Sequence, residues 1–299
     1  LNSVVIRGDG EKIEIEEGCT LNKNSTVHVA LNGTKIKKNC MIGTNSVIHA
    51  CVIKSNVLVG NNCVIMDNSE IGSYSIIQDN CLVAPRKKIP PFSIVAGTPG
   101  KIVKTINKQE FLKYKNHLEK SSINNLVAKD INFSNFNHKN IKAKNFYIAP
   151  DLFSTANLIL EDNSSIWFAV RIIGLQKEGK VVLGEGSNIQ DNSTINTKWK
   201  NIIIGKRVTI GHNVSILGPI KIEDDAVIGI GSIIEQGTIV KKNAFVGANS
   251  YVKKNTIIPE DTIYTGSPAS FFRAVKKQEK NYFSIGQKVY ENLAIEYSY

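Results

Sequence analysis

The sequence has 299 residues, 42% hydrophobic and 21% charged, which leaves room for two domains of ordinary size and matches a soluble globular chain rather than a disordered or fibrous one. Its formal charge of +11 comes mostly from lysines spread along the chain, without the arginine-and-aromatic patches that read nucleic-acid bases, so no nucleic-acid partner is expected. All five cysteines (Cys19, Cys40, Cys51, Cys63, Cys81) fall in the first third without a Cys-x-x-Cys pair, which argues against a disulfide framework, and no apolar run approaches the roughly 18 residues of a membrane span.

The chain opens at Leu1 with no signal-peptide pattern, and the missing methionine suggests a removed leader or a start further upstream. From there aliphatic residues recur at Ile36, Ile42 and Ile48. After a one-residue slip they continue at Ile53, Val59, Ile65, Ile71, Ile77, Val83, Ile89 and Val95. A period of six fits neither a helix nor a single strand. It fits a triangular solenoid in which each six-residue step makes one short strand and one corner, with the aliphatic side chain pointing inward. Stretches such as Gly60-Asn61-Asn62 would turn the corners, because Gly and Asn tolerate unusual backbone angles.

Residues 106–144 read as a helix followed by an Asn/Lys-rich linker. The same period then returns in a second copy at Ile204, Ile210, Ile216, Ile222, Ile228, Ile234, Val240, Val246, Val252, Ile258 and Tyr264, with corners such as Gly205-Lys206-Arg207. Small or β-branched residues sit four places after most of these, among them Val208, Val214, Ala226 and Ser232. Each copy closes alike, on Gly97-Thr98-Pro99-Gly100 and Gly266-Ser267-Pro268-Ala269. The expected fold is all-β, two tandem left-handed parallel β-helices each followed by a C-terminal α-helix. The expected domains are 1–105, a helix and linker over 106–144, 145–268, and a terminal helix over 269–299.

Four short motifs narrow the kinship. Ser165-Ile166-Trp167-Phe168-Ala169-Val170, Val5-Ile6-Arg7-Gly8-Asp9, Asn188-Ile189-Gln190-Asp191 and Ile210-Gly211-His212-Asn213 together resemble the γ-class carbonic anhydrases. The resemblance implies a zinc held by three histidines, two from one solenoid and one from its neighbour in a trimer. An open fourth position takes water, whose pKa the metal brings toward ~7.

Carried onto this sequence, the family pattern places metal ligands at His28, His49 and His212. Neither copy has all three. Thr44 stands where the first copy's middle histidine belongs, and Asn196 and Leu217 stand where the second copy's outer pair belongs. The supporting residues are divided likewise: Arg7 and Asp9 at an interface in the first copy, opposite Ile173 and Leu175 in the second, and Gln190 (as a catalytic neighbour) and Asp191 in the second, opposite Asn22 and Lys23 in the first. One complete site results if the copies pack side by side. Gly10 and Leu31 stand where proton-shuttling carboxylates would be, which argues for zinc binding over fast turnover. His117 and His138 have no ligand-spaced partner and read as surface residues, and Arg86-Lys87-Lys88 reads as a solvated corner.

A tandem chain supplies two of the three solenoids of a closed threefold assembly, so a further γ-carbonic-anhydrase-like subunit is expected to complete a pseudo-trimer. The resemblance extends to the heterotrimer of such subunits on the matrix side of mitochondrial respiratory complex I. It implies contact with membrane-arm subunits, no membrane span of its own, and a structural or assembly role. The alternatives are an active zinc γ-carbonic anhydrase and, from the repeat alone, a CoA-dependent acyltransferase.

Overall fold

The computed structural model describes residues 3–29, 32–122, 141, 143–174, 179–198 and 200–298. Leu1, Leu31, Leu175, His138, the side chain of His117 and the linker over 123–140 lie outside the described residues. The chain divides into two compact units, Leu1–Asn132 and Phe133–Tyr299, and each is a left-handed parallel β-helix followed by an α-helix. Among the described residues no helix is long and apolar enough to cross a membrane.

In the first unit three sheets run along the three faces of the coil. Sheet A holds Val5–Arg7, Thr26–His28, Val47–His49, Val64–Ile65 and Leu82–Val83; sheet B holds Ile13–Ile15, Thr34–Ile36, Val52–Ile53, Glu70–Ile71 and Lys88–Ile89. Sheet C holds Thr20–Leu21, Met41–Ile42, Leu58–Val59, Ile76–Ile77 and Ser93–Ala96, and is closed by an antiparallel return strand, Lys101–Thr105. Helix α1 (Lys108–Ser122) follows, and its Phe111 packs with Leu58, Ile76 and Ile94.

The second unit repeats this plan. Sheet A′ runs from Phe153–Ser154 through Arg171–Ile173, Thr194–Asn196 and Ser215–Leu217 to Ile233–Ile234 and Tyr251–Val252. Sheet B′ runs from Asn157–Leu160 through Lys180–Leu183, Ile202–Ile204 and Ile220–Ile222 to Ile239–Val240 and Ile257–Ile258. Sheet C′ begins at Phe146–Ile148 and Ser164–Ile166, includes Asn188–Ile189 and Thr209–Ile210, and ends at Thr262–Gly266 with an antiparallel return strand, Ala269–Ala274. Helix α2 spans Lys277–Glu296, so the stretch after Pro268 is a strand before it is a helix.

The sixfold aliphatic positions form the two cores. From Ile204 to Ile258 every residue of the second register is at most 1% exposed, and in the first unit Ile36 to Val95 are all buried. Burial of a stacked isoleucine stabilises by roughly 1.5–3 kcal/mol, and the column repeats it at every rung. The small positions serve the corners. Ser187 Oγ donates to the Gly205 carbonyl at 2.7 Å and accepts from the Val208 N–H at 2.8 Å, tying one coil to the next. Cys40, Cys51, Cys63 and Cys81 fill the same small buried spaces, and burial pushes each thiol up to about 12.

Corners turn through residues with positive φ, mostly Asn, as at Asn45, Asn62 and Asn80 (φ 58°, 54° and 60°). Asn is the non-glycine residue that tolerates this region best. The slip after Ile48 has a physical origin. Val47 pairs with Val64 across a coil of 17 residues, while later coils have 18, and Ala50 makes the tightened corner at φ 44°.

Candidate functional site

The first coils are longer than the rest. Val5 pairs with Thr26 and Thr26 with Val47, each a step of 21 residues, and that spacing places Arg7, His28 and His49 as consecutive partners in one ladder on sheet A. The His28 carbonyl accepts from Thr34 Oγ1 at 2.6 Å, which fixes the turn after the strand.

In the first unit the side chains of this ladder form one network. Arg7 Nη1 lies 2.7 Å from Asp9 Oδ2, and the same carboxylate accepts from His28 Nε2 at 3.0 Å. His28 Nδ1 faces His49 Nε2 at 3.1 Å, and His49 Nδ1 is held by Asp67. A carboxylate behind each outer nitrogen makes that nitrogen the proton donor, so the inner nitrogens turn lone pairs toward each other. Two lone pairs at this distance repel unless a proton or a cation sits between them. Two imidazoles bound to tetrahedral zinc have ligand nitrogens about 3.3 Å apart, and carboxylate-backed histidines are the usual metal-ligand arrangement. The donor set therefore fits zinc.

The second unit holds His212 in the corner after Thr209–Ile210. Its Nδ1 lies 3.0 Å from Asp191 Oδ2, and both side chains are almost fully buried. Asp191 also accepts the Phe168 N–H at 3.0 Å. Gly211 is required here because a Cβ would come within 2.8 Å of the Ile230 nitrogen on the next coil. Tyr290, from α2, places its hydroxyl 3.3 Å from His212 Nε2 and packs edge-on against Trp167. Gln190 is buried beside Asn188, 3.3 Å from its Oδ1.

Register makes the two units comparable rung by rung. On sheet A′, Ile173, Asn196 and Leu217 are consecutive partners, the counterpart of Arg7, His28 and His49. The corner Gly43-Thr44-Asn45 in turn matches Gly211-His212-Asn213, with Asn45 and Asn213 both at positive φ (58° and 55°). One coil earlier Asn22-Lys23-Asn24 matches Gln190-Asp191-Asn192, again with positive φ at the closing asparagine (55° and 59°). Thus the first unit has the outer ladder with its carboxylates but Thr44 and Lys23 at the corner. The second has His212 and Asp191 at the corner but an Ile-Asn-Leu ladder.

Sequence reasoning did not find Asp67 and Tyr290. Asp67 stands 18 residues beyond His49, one past the position that the 17-residue coil puts in register with it. Tyr290 shares with Gln287 and Ala294 the buried face of α2, a three-and-four spacing visible in the sequence, though nothing local says that the face meets a histidine.

Comparisons with known proteins bear on the repeat and its kinship. Residues 50–85 match the family profile described as bacterial transferase hexapeptide (six repeats), and residues 12–50 and 219–254 match the hexapeptide repeat of succinyl-transferase. Among the relatives is the mitochondrial γ carbonic anhydrase 2 of Arabidopsis thaliana, 35% identical over 115 residues, 36% of this chain and 41% of that protein. A protein of Methanocaldococcus jannaschii named "Probable carbonic anhydrase" is 39% identical over 114 residues, 38% of this chain and 72% of its own length. A crystal structure of a hexapeptide transferase family protein from Anaplasma phagocytophilum aligns with a TM-score of 0.49 at 27% identity over 52% of this chain and 91% of its own. The match thus spans less than half of the plant relative and most of the archaeal one. The chain belongs to the hexapeptide-repeat family, as a homologue of the γ carbonic anhydrases.

Proposed function

We propose that the chain is a tandem γ-carbonic-anhydrase-like subunit of a heterotrimer on the matrix side of mitochondrial complex I. Its role there is structural and in assembly, and it holds at most one zinc, shared by His28 and His49 of the first unit and His212 of the second. A further γ-type subunit completes the pseudo-trimer. The mitochondrial plant relative supports the compartment, and the family resemblance supports the complex.

The observation that carries the composite site is the matched loss. Where a histidine is gone its carboxylate partner is gone too, Lys23 replacing the counterpart of Asp191 beside Thr44. Where a ligand is kept its partner is kept, as in Asp9 with His28 and Asp191 with His212. Random decay of two independent sites has no reason to divide along that line.

Zinc in such a site supplies Lewis acidity and lowers the pKa of bound water. The chain's own contribution is orientation: Asp9, Asp67 and Asp191 fix the tautomer and plane of the three rings, so that each presents one nitrogen. Gly10 leaves no carboxylate beside Asp9 to carry a proton away, which favours a structural metal over rapid hydration of carbon dioxide. Transferase repeat profiles match the chain, but they describe the solenoid and bring no acyl-group site with them.

The deciding measurement is native mass spectrometry with metal analysis on the purified chain, alone and with candidate γ-type subunits. The expected result is at most one zinc per chain, lost in His212→Ala and in His28→Ala while the solenoid stays folded, and a trimer only with a second gene product. A homotrimer of this chain, or zinc retained in His212→Ala, defeats the proposal. Rapid carbon dioxide hydration by the chain alone would make it the enzyme instead.

A further inference from the structure

Sheets B and B′ are equivalent faces of the two units, yet their outward ladders differ in chemistry. On sheet B the outward residues run Glu14, Lys35, Val52, Glu70 and Lys88 in register, and the charges pair, as Lys35 with Glu14 at 3.7 Å and Lys54 with Glu70 at 3.2 Å. That is a solvated face. On sheet B′ the same positions run Ile159, Val182, Ile203, Lys221, Ile239 and Ile257. Ile159, Ile203 and Ile257 are 41%, 43% and 57% exposed. None of the proposed metal-site residues lies on this face.

We infer that the B′ ladder is a docking strip for one amphipathic α-helix of a partner protein, with aliphatic residues on its inner stripe and one carboxylate opposite Lys221. Three features select this occupant. Successive rungs are about 4.8 Å apart, close to the 5.4 Å rise of a helical turn, so a helix laid along the strip offers about one inward residue per rung. Six rungs span about 24 Å, the length of roughly 16 helical residues.

The strip is also narrow. About 24 Å by the 10 Å width of a helix gives roughly 240 Å², well below the ~800 Å² per partner of a stable interface between folded domains. A second copy of this chain is therefore not held by it, whereas a single helix covers it completely. Lys221 supplies the third feature. It is the one charge in the ladder, about half exposed, and its nearest carboxylate, Glu223, is 3.3 Å away and shared with Lys241. A wholly apolar stripe would strand it, so the occupant brings an acid at the fourth turn.

The test uses a synthetic, fluorescently labelled helical peptide of about four and a half turns with leucine on one stripe and a single glutamate at its fourth turn, titrated against the full chain by anisotropy. Saturable binding is expected, weakened about tenfold or more by Ile203→Glu and unaffected by Lys35→Glu on sheet B. A charge exchange adds the second measurement: Lys221→Glu should prefer the peptide whose glutamate is replaced by lysine. Thermal melting confirms that all three variants fold. The inference is overturned if the peptide fails to bind, binds the Ile203→Glu protein equally, or shows no exchange of preference. It is overturned too if the strip instead carries the chain onto phosphatidylcholine–cardiolipin vesicles, or if Ile203→Glu dissolves a homodimer.

Discussion

His28 and His49 are direct partners on adjacent strands, 21 residues apart in sequence, with ring nitrogens 3.1 Å apart and a carboxylate behind each ring. Nothing in the hexapeptide period itself places them there. The period is six, an ordinary coil takes 18 residues, and only the three extra residues in these coils bring position 49 over position 28, and 28 over 7. The facing pair of imidazoles is thus an exception to the repeat, and it resides where the coil is longer than packing needs.

The core tolerates little change of volume. Ile228→Ala should destabilise the second unit by about 2–5 kcal/mol through lost burial and a cavity in a fully enclosed column. Chemical denaturation followed by circular dichroism would measure it. A cost below about 1 kcal/mol would mean that the column is not closely packed.

Asp191 holds His212 from a fully buried position. Asp191→Ala should remove the carboxylate beside His212 Nδ1 and leave the Phe168 N–H without an acceptor, the latter costing ~1–3 kcal/mol at most, and should weaken metal binding about 10- to 100-fold. Competition with a chromogenic chelator gives the affinity, and the melting curve gives the stability. Asp191→Asn should restore part of the second and little of the first.

Much of this was legible beforehand, for identifiable reasons. Ile204 to Ile258 announce their burial because the solenoid's period is local and unbroken. His28, His49 and His212 stand out because their neighbours repeat a family's motifs. The return strands at Lys101–Thr105 and Ala269–Ala274 were not anticipated, because a strand that reverses direction carries no hexapeptide signature and the second stretch begins where a helix was expected. Tyr290 reaches His212 from 78 residues away, a contact that no local pattern encodes.

The start of α2 should respond to acid. Glu279 accepts from Arg273 and from the Lys276 N–H, and these, the arginine first, hold its carboxyl down at about 2, below its ordinary 4.5. A depressed carboxylate stabilises the fold above its unfolded pKa, and that contribution disappears as pH falls from about 4.5 through 2. Wild type and Glu279→Gln should therefore differ in melting temperature at pH 7 and converge near pH 2. A difference that persisted at pH 2 would show that the carboxylate's charge is not what matters.

Four of the five thiols should be inert in the folded protein. With Cys40, Cys51, Cys63 and Cys81 pushed up to about 12 by burial, an aromatic disulfide reagent at pH 8 should modify half-buried Cys19 first and the other four only as the first unit opens. Mass mapping of the early product checks the order.

The return strands bear on filament growth. An open parallel coil is a template: its final strand offers unpaired N–H and C=O groups in the spacing that another coil of the same kind would match. Lys101–Thr105 and Ala269–Ala274 pair antiparallel at that edge of sheets C and C′, so the direction of the chain is reversed where propagation would continue, and the lysines at 101 and 104 add charge to the new rim. Each unit closes its own growing edge on that face, and a stack that could in principle seed fibres is held to a finite length by one short backward strand.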